Sequence, residues 1–232
     1  MTRPFRFGVQ SFAATSATDW REQAHRAEDL GYDVFSVADH YFGPGPAMDA
    51  ARHSVQNVAS IPAMAVALEA TETIRVGARV MSCDYHHPVV LAKSMATLDF
   101  LSDGRFEVGL GAGWVKTEYE ALGIPMDRPG VRIDRLIEYY ELMKAAFAEG
   151  QIDFQGEHVR VKDMEADPKP VQKDPPILIG GGAKRILRTA GRLADIVSVN
   201  FDNSEGRIGA VGVGSGYAEQ TKEKIGWIAE GA

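Results

Sequence analysis

The stretch FEVGLGAGW, Phe106 to Trp114, is a short apolar run that closes on glycines at positions 109, 111 and 113. Two readings compete. It could be a loop that cradles a nucleotide, or a buried strand whose end is left as bare backbone. Spacing decides against a dinucleotide fingerprint, which needs G-x-G-x-x-G. Counted from Gly109 the sixth position is Trp114, and from Gly111 it is Lys116. The glycines suit a strand end where backbone lies close to a flat ligand or a neighbouring helix.

Five similar runs surround it, at 5–10, 33–39, 74–81, 176–181 and 195–200. Most are continuous rather than alternating, as in strands buried on both faces of a parallel sheet. Helical stripes lie between them. Trp20, Ala24 and Ala27 share a face, with Asp19 and Glu22 spaced as a capping box and Gly31 as a terminal glycine. Pro88 sits as a first-turn proline before Leu91, Met95, Leu98 and Leu101. Further stripes run over 133–147, 186–193 and 217–229. Alternation of this kind implies βα units and a parallel sheet. One segment, 151–163, breaks the rhythm with a hairpin pattern around Gln155-Gly156-Glu157, followed by the proline-rich DPKPVQKDPP.

Six βα units can be counted, whereas a closed (β/α)8 barrel has eight strands and typically about 250 residues. The expected fold class is therefore α/β, a TIM-like barrel truncated to about six units. It would form a single domain over 1–232 with an insertion at about 151–175, the last two barrel strands being absent.

The chain has 232 residues, 45% of them hydrophobic, enough for a sizeable core. Its net charge of −7, with no basic block, argues against nucleic acid as a partner. No apolar run reaches the roughly 18 residues that span a bilayer, and the N-terminus lacks a signal-peptide core. Cys83 is the one cysteine and reads as a small buried side chain. These features predict a cytoplasmic protein without a membrane partner.

In parallel α/β folds, sites gather at the C-terminal ends of strands. Those ends carry Ser11-Phe12, Asp39-His40, Arg79-Val80, Gly111-Ala112-Gly113-Trp114, Gly180-Gly181-Gly182 and Asn200. Asp39-His40 is the best acid–base pair by position, since histidine titrates near neutrality. The triple glycine before a helix starting near Ala183 is the better phosphate candidate, with Lys184 and Arg185 close by. No metal centre is expected: His86 and His87 are adjacent, so their rings cannot converge as an i, i+4 pair would. They read as surface or loop-anchoring histidines.

The stretches FRFGVQ, AEDLGYDVFSVADH, IRVGARV, YHHPVVLAKSMATLDFLSDGRFEVGLGAGW, EYEALGIP, PKPVQ, PPILIGGG and ADIVSVN follow one another from residue 5 to 200. In this combination the chain resembles the luciferase-like monooxygenase superfamily, in particular its branch of oxidoreductases that use the deazaflavin coenzyme F420. The resemblance implies a barrel holding a flavin or deazaflavin at its C-terminal mouth. It implies a non-prolyl cis peptide at Arg79–Val80 behind the ring, Asp39 and His40 beside ring and substrate, and Gly111-Ala112-Gly113 along the ring edge. Gly180, Gly181, Gly182, Ala183 and Asn200 fall on the phosphate and ribityl side. Some F420-dependent sugar-phosphate dehydrogenases carry a glutamate where this chain has Trp114, so their acid and substrate are not carried over.

The expected function is hydride transfer between F420 and a small organic substrate. His40 would donate or accept the proton and Asp39 would help to place it, while Phe12 and Trp114 shape the substrate pocket. A homodimer is implied as well. The nearest alternative is an FMN-dependent monooxygenase. More distant ones are a non-redox barrel enzyme, which lacks a convincing strand-end Lys or Glu, and a truncated cofactor-binding or inactive barrel.

Overall fold

The computed structural model describes residues 5–232. Its strands are β1 (Gly8–Ser11), β2 (Val34–Val37), β3 (Arg75–Ala78), β4 (Met81–Ser82), β5 (Phe106–Gly111), β6 (Gln151–Gln155), β7 (Arg160–Glu165), β8 (Ile177–Gly181) and β9 (Ile196–Val199). All but β6 and β7 join one parallel sheet in the order β1-β2-β3-β5-β8-β9, with β4 also paired to β5. Because β3 and β4 are two halves of one broken strand, the sheet has the six parallel positions expected. It is a curled, TIM-like half-barrel. The strands β1 and β9 form its edges among the described residues.

Helices α1 (Ala17–Asp29), α2 (Pro46–Ala51), α3 (Ser60–Ala70), α4 (Pro88–Leu101), α5 (Lys116–Leu122), α6 (Pro129–Phe147), α7 (Lys184–Leu193), α8 (Ala210–Gly214) and α9 (Ala218–Gly231) complete the fold. Short α2, α5 and α8, and the longer α3, were not anticipated. In α3, SIPAMAVALEA is apolar nearly all round, so it lacks the polar face that marks a surface helix. The hairpin expected in 151–163 forms from β6 and β7, which pair antiparallel.

The cap of α1 differs from the expected box. Ser16 is the N-cap and accepts from the Asp19 N–H, while Asp19 accepts from the backbone and hydroxyl of Thr15. Ser16 stands three residues before Asp19, so the reciprocal pairing begins there and not at Asp19. Gly31 does take positive φ, +77°, just past the helix.

Side chains alternate across a strand. In β5, Phe106, Val108 and Leu110 enter the core with Val76, Ile177, Met95 and Leu136. Trp20 of α1 is buried, lies edge-on to Phe35 at 5.4 Å and donates its indole N–H to the Ala63 carbonyl at 2.9 Å. Burying a large apolar side chain of this kind contributes roughly 1.5–3 kcal/mol, and the hydrogen bond removes the cost of burying its polar tip.

The other face of β5 carries Glu107, Gly109 and Gly111. A methyl group added at Gly109 would overlap the Ala78 carbonyl oxygen, and one at Gly111 would overlap Val80 Cγ2. One at Gly180, across the sheet on β8, would stand 3.0 Å from Val80 Cγ1. Val80 therefore occupies a socket formed by three glycines. It lies between β3 and β4, where the Arg79–Val80 peptide is cis. Replacing Gly109 by Ala pushes against backbone, which cannot move aside as a side chain can. The expected cost is about 1–3 kcal/mol, read as a lower urea midpoint with unchanged slope. A midpoint within error of wild type would show that the strands separate freely.

Glu28, near the end of α1, clips that helix to the start of β3. It accepts from the N–H groups of Glu72, Thr73 and Ile74 at 2.6–3.0 Å and from the Thr73 hydroxyl at 2.9 Å. Burial would raise its pKa, but these donors, Ile74 and Thr73 foremost, outweigh it and bring the carboxyl down to about 2. A depressed carboxylate pKa stabilises above the unfolded value, and the benefit is lost as pH falls through the folded one. Glu28→Gln should thus lower stability at pH 7 by on the order of 1 kcal/mol. The gap to wild type should close as the pH falls from 4.5 to about 2 in acid unfolding curves; a gap that stays constant would contradict the clip.

Candidate functional site

The C-terminal ends of β2, β4, β5, β8 and β9 open into one cavity of about 1110 Å³, its mouth included. Asp39, His40, Arg79, Val80, Gly111, Ala112, Gly113, Trp114, Gly180, Gly181, Gly182, Ala183 and Asn200 all line it. Phe12 does not. Its ring lies edge-on to His53 at 5.5 Å, and His53 in turn lies 4.3 Å from His40.

Asp39 and His40 are neighbours in sequence but serve different partners. Asp39 accepts from the Ser60 hydroxyl at 2.7 Å and from the Ser82 N–H at 2.9 Å, and it pairs with His86 Nε2 at 2.8 Å. It ties β2 to α3 and β4. The expectation that Asp39 helps to place His40 finds no direct contact: both line the cavity, but the Asp39 carboxylate goes to Ser60, Ser82 and His86. His86 fits its loop-anchoring reading, while His87 is exposed.

The carboxylate that touches His40 is Glu118, 78 positions away in the first turn of α5. His40 Nδ1 lies 2.8 Å from Glu118 Oε2. The Tyr85 hydroxyl donates to the same oxygen at 3.0 Å, and the Tyr41 N–H donates to Oε1 at 2.6 Å. Glu118 is wholly buried. Burial pushes the Tyr85 hydroxyl above its ordinary value, and the Glu118 charge pushes it further, so it stays a donor. Aromatic rings enclose the rest of His40: His53 at 4.3 Å, Phe42 at 5.9 Å and Trp114 at 6.1 Å between centroids.

Arg132, in the first turn of α6, also lines the cavity and is buried. It donates to the carbonyls of Ala112 and Gly113 at 3.2 and 2.5 Å, and its Nε is left without a partner. No carboxylate pairs with it among the described residues. Its guanidinium also lies over the Tyr119 ring at 5.9 Å; a buried guanidinium without a carboxylate partner favours an anion. The buried Ser82 hydroxyl is likewise unpartnered. On the inner wall, Glu107 gathers Arg6, Arg75 and Arg79 at 2.5, 2.9 and 3.6 Å. Lys184 and Arg185 pair with Glu230 and Asp134, and neither is among the lining residues. Cys83 is fully buried, and burial pushes its thiol up and away from reactivity.

The arrangement suits a flat group with polar edges and an anionic end. Bare backbone, a bulged valine and an unpaired guanidinium face one space, with a carboxylate-held imidazole at its side. The family described as luciferase-like monooxygenase matches residues 1–224. The chain belongs to that family.

Among relatives of this luciferase-like chain, the F420-dependent glucose-6-phosphate dehydrogenase of Amycolatopsis mediterranei is 29% identical over 178 residues, 76% of this chain and 51% of that protein. The FMNH(2)-dependent dimethylsulfone monooxygenase of Pseudomonas putida is 29% identical over 187 residues, 80% of this chain and 49% of that protein. The coenzyme F420-dependent tetrahydromethanopterin reductase of Methanopyrus kandleri superposes with a TM-score of 0.79 at 22% identity, covering 97% of this chain and 60% of that one. The chain thus spans about half the length of these two relatives. The family includes both F420-dependent and FMN-dependent enzymes. No helix among the described residues is long and apolar enough to cross a membrane.

Sequence reasoning missed Glu118, His53, Tyr85 and Arg132. Glu118 lies in EYEALGIP, a matching stretch, yet nothing in its spacing points to His40. His53 lies in the segment between α2 and α3, whose course follows no periodic pattern. Burial, and then the nearby His40 charge, pull the His53 pKa below its ordinary value. Histidine NMR should accordingly show His53 titrating below about 6.5, with His40→Ala moving its midpoint upward. An ordinary midpoint, unmoved by that substitution, would contradict the close packing of the two rings.

Proposed function

We propose that this protein is an oxidoreductase that binds F420 and couples hydride transfer on a small organic substrate to proton transfer at His40. The observation that carries the reading is the environment of His40. Its Nδ1 is committed to a buried carboxylate, which leaves Nε2 as the free nitrogen of a histidine that lines the cavity. A group so held takes a proton from a substrate hydroxyl or returns one to a carbonyl oxygen.

The cofactor, when bound, supplies the hydride chemistry, and the protein orients it. Val80 and its glycine socket give the ring a rigid backing. Gly111 to Gly113 offer backbone along an edge. Gly180 to Ala183 lead into the N-terminus of α7, and together with Asn200 and Arg132 they hold the phosphate side. Trp114, Phe42 and His53 keep water from His40. The reading includes a homodimer in the cytoplasm, and sedimentation of the purified protein would test the assembly.

An FMN-dependent monooxygenase is the second reading. It is favoured by the same backbone-built ring pocket, which no residue restricts to a deazaflavin. Titration with F420 and with FMN, each followed by fluorescence quenching, separates the two. F420 is expected to bind at micromolar or lower concentration and FMN at least tenfold more weakly; the reverse order sinks the leading proposal. His40→Ala should then lower turnover by about 10²–10⁴-fold and leave cofactor affinity within a few-fold. Unchanged turnover would remove His40 from the mechanism.

A further inference from the structure

We infer that Glu118 is a positioning residue that fixes His40 as the Nδ1–H tautomer and keeps its Nε2 lone pair turned to the cavity. The geometry is close to complete. Glu118 Oε2 accepts from His40 Nδ1 and from Tyr85, and Oε1 accepts from the Tyr41 N–H. Three donors thus converge on a carboxylate with no exposure to solvent. An ionised carboxylate is an acceptor only, so the nitrogen facing it must carry the proton. In neutral imidazole the other nitrogen is then the acceptor. When Nε2 takes a proton, the same carboxylate stabilises the cation that forms, as a buried carboxylate does for a general-base histidine elsewhere.

Other groups near the ring do not do this. Asp39 is occupied by Ser60, Ser82 and His86. His53, tilted against His40 at 4.3 Å between centroids, has Nδ1 2.9 Å from the Ser54 carbonyl and makes no hydrogen bond to His40. Tyr41 and Tyr85 reach Glu118 and not the imidazole. Phe42 and Trp114 close the remaining sides without charge. Glu118 is the one carboxylate in contact with His40 among the described residues.

Glu118→Gln tests the role with little change of volume. A glutamine can accept at one end only. The Tyr41 N–H is backbone and cannot change role, so the amide oxygen is drawn to it and the amide NH₂ faces His40. Nδ1 must then become the acceptor, and the ring proton moves to Nε2. Tyr85 can rotate its hydroxyl to accept. The substitution therefore switches the tautomer without requiring the ring to move.

The inference rests on the reading of His40 as the proton-transfer group, but its first test does not need activity. Ring ¹⁵N shifts of histidine-labelled protein without cofactor, at neutral to mildly alkaline pH, report which nitrogen is protonated. The wild-type protein should show His40 protonated at Nδ1, and Glu118→Gln should show it at Nε2 with the His86 signals unmoved. A wild-type His40 protonated at Nε2 overturns the inference even if the variant does not fold; so does a folded variant whose tautomer is unchanged.

With cofactor and a turned-over substrate, Glu118→Gln should lower kcat about a hundredfold, with KM within a few-fold. The acidic limb of the pH–rate profile should also shift down, because the imidazolium loses its counter-charge. A switched tautomer with normal turnover would support the positioning of the ring and sink the catalytic reading of His40.

Discussion

The site depends on one packing constraint: Val80 occupies space that only glycine leaves free. Gly111 and Gly180 would each crowd its methyl groups if they carried a Cβ, and Gly109 admits the Ala78 carbonyl beside it. This lets the third strand step out of line after Ala78 and rejoin β5 at Met81 and Ser82, in register with Leu110 and Gly111. The step has two consequences. It exposes Arg79 and Val80 to the cavity, and it brings the Ser82 N–H within 2.9 Å of Asp39. Interiors are packed too densely to absorb even a methyl group at such a point, so the shape of the cavity floor follows from glycines on two other strands.

Around that floor two buried carboxylates divide the work. Asp39 joins β2, α3, β4 and His86 and is a structural knot. Glu118 gathers donors from the segment after β2 and from Tyr85, and meets His40 at the cavity wall. A buried carboxylate without partners is costly, and here each has at least three hydrogen-bond partners. The neighbouring Tyr119 hydroxyl donates to Asp84, which also pairs with Arg135, so the short helix that carries Glu118 is itself fixed. Glu118 is thereby held at a definite place although α5 is only seven residues long.

Much of the fold was legible because parallel strands buried on both faces leave continuous apolar runs, and each of the six runs became a strand position. The long helices α1, α4, α6, α7 and α9 were legible from their stripes. Helix α3 was not, since a helix apolar all round has no stripe to read. The cavity residues were legible where backbone or strand ends supply them, as at Gly111 to Trp114 and Gly180 to Ala183. Glu118 and Arg132 were missed for a different reason. Their partners lie 78 and about 20 positions away, and no periodicity records a contact between a helix start and another element's loop.

The two parts of the cavity are built differently. Its floor is backbone and a bulged valine, set by the sheet, and the fold itself is shared with the tetrahydromethanopterin reductase at 22% identity with a TM-score of 0.79. The wall around His40 is built instead from side chains that several segments deliver separately: His40 after β2, His53 after α2, Trp114 after β5 and Glu118 on α5. FEVGLGAGW spans both regimes. Gly109 and Gly111 belong to the floor beside Val80, and Trp114, three residues on, belongs to the wall beside His40 at 6.1 Å. The change from the cavity floor to the wall beside His40 falls within those few residues, where strand β5 gives way to its loop.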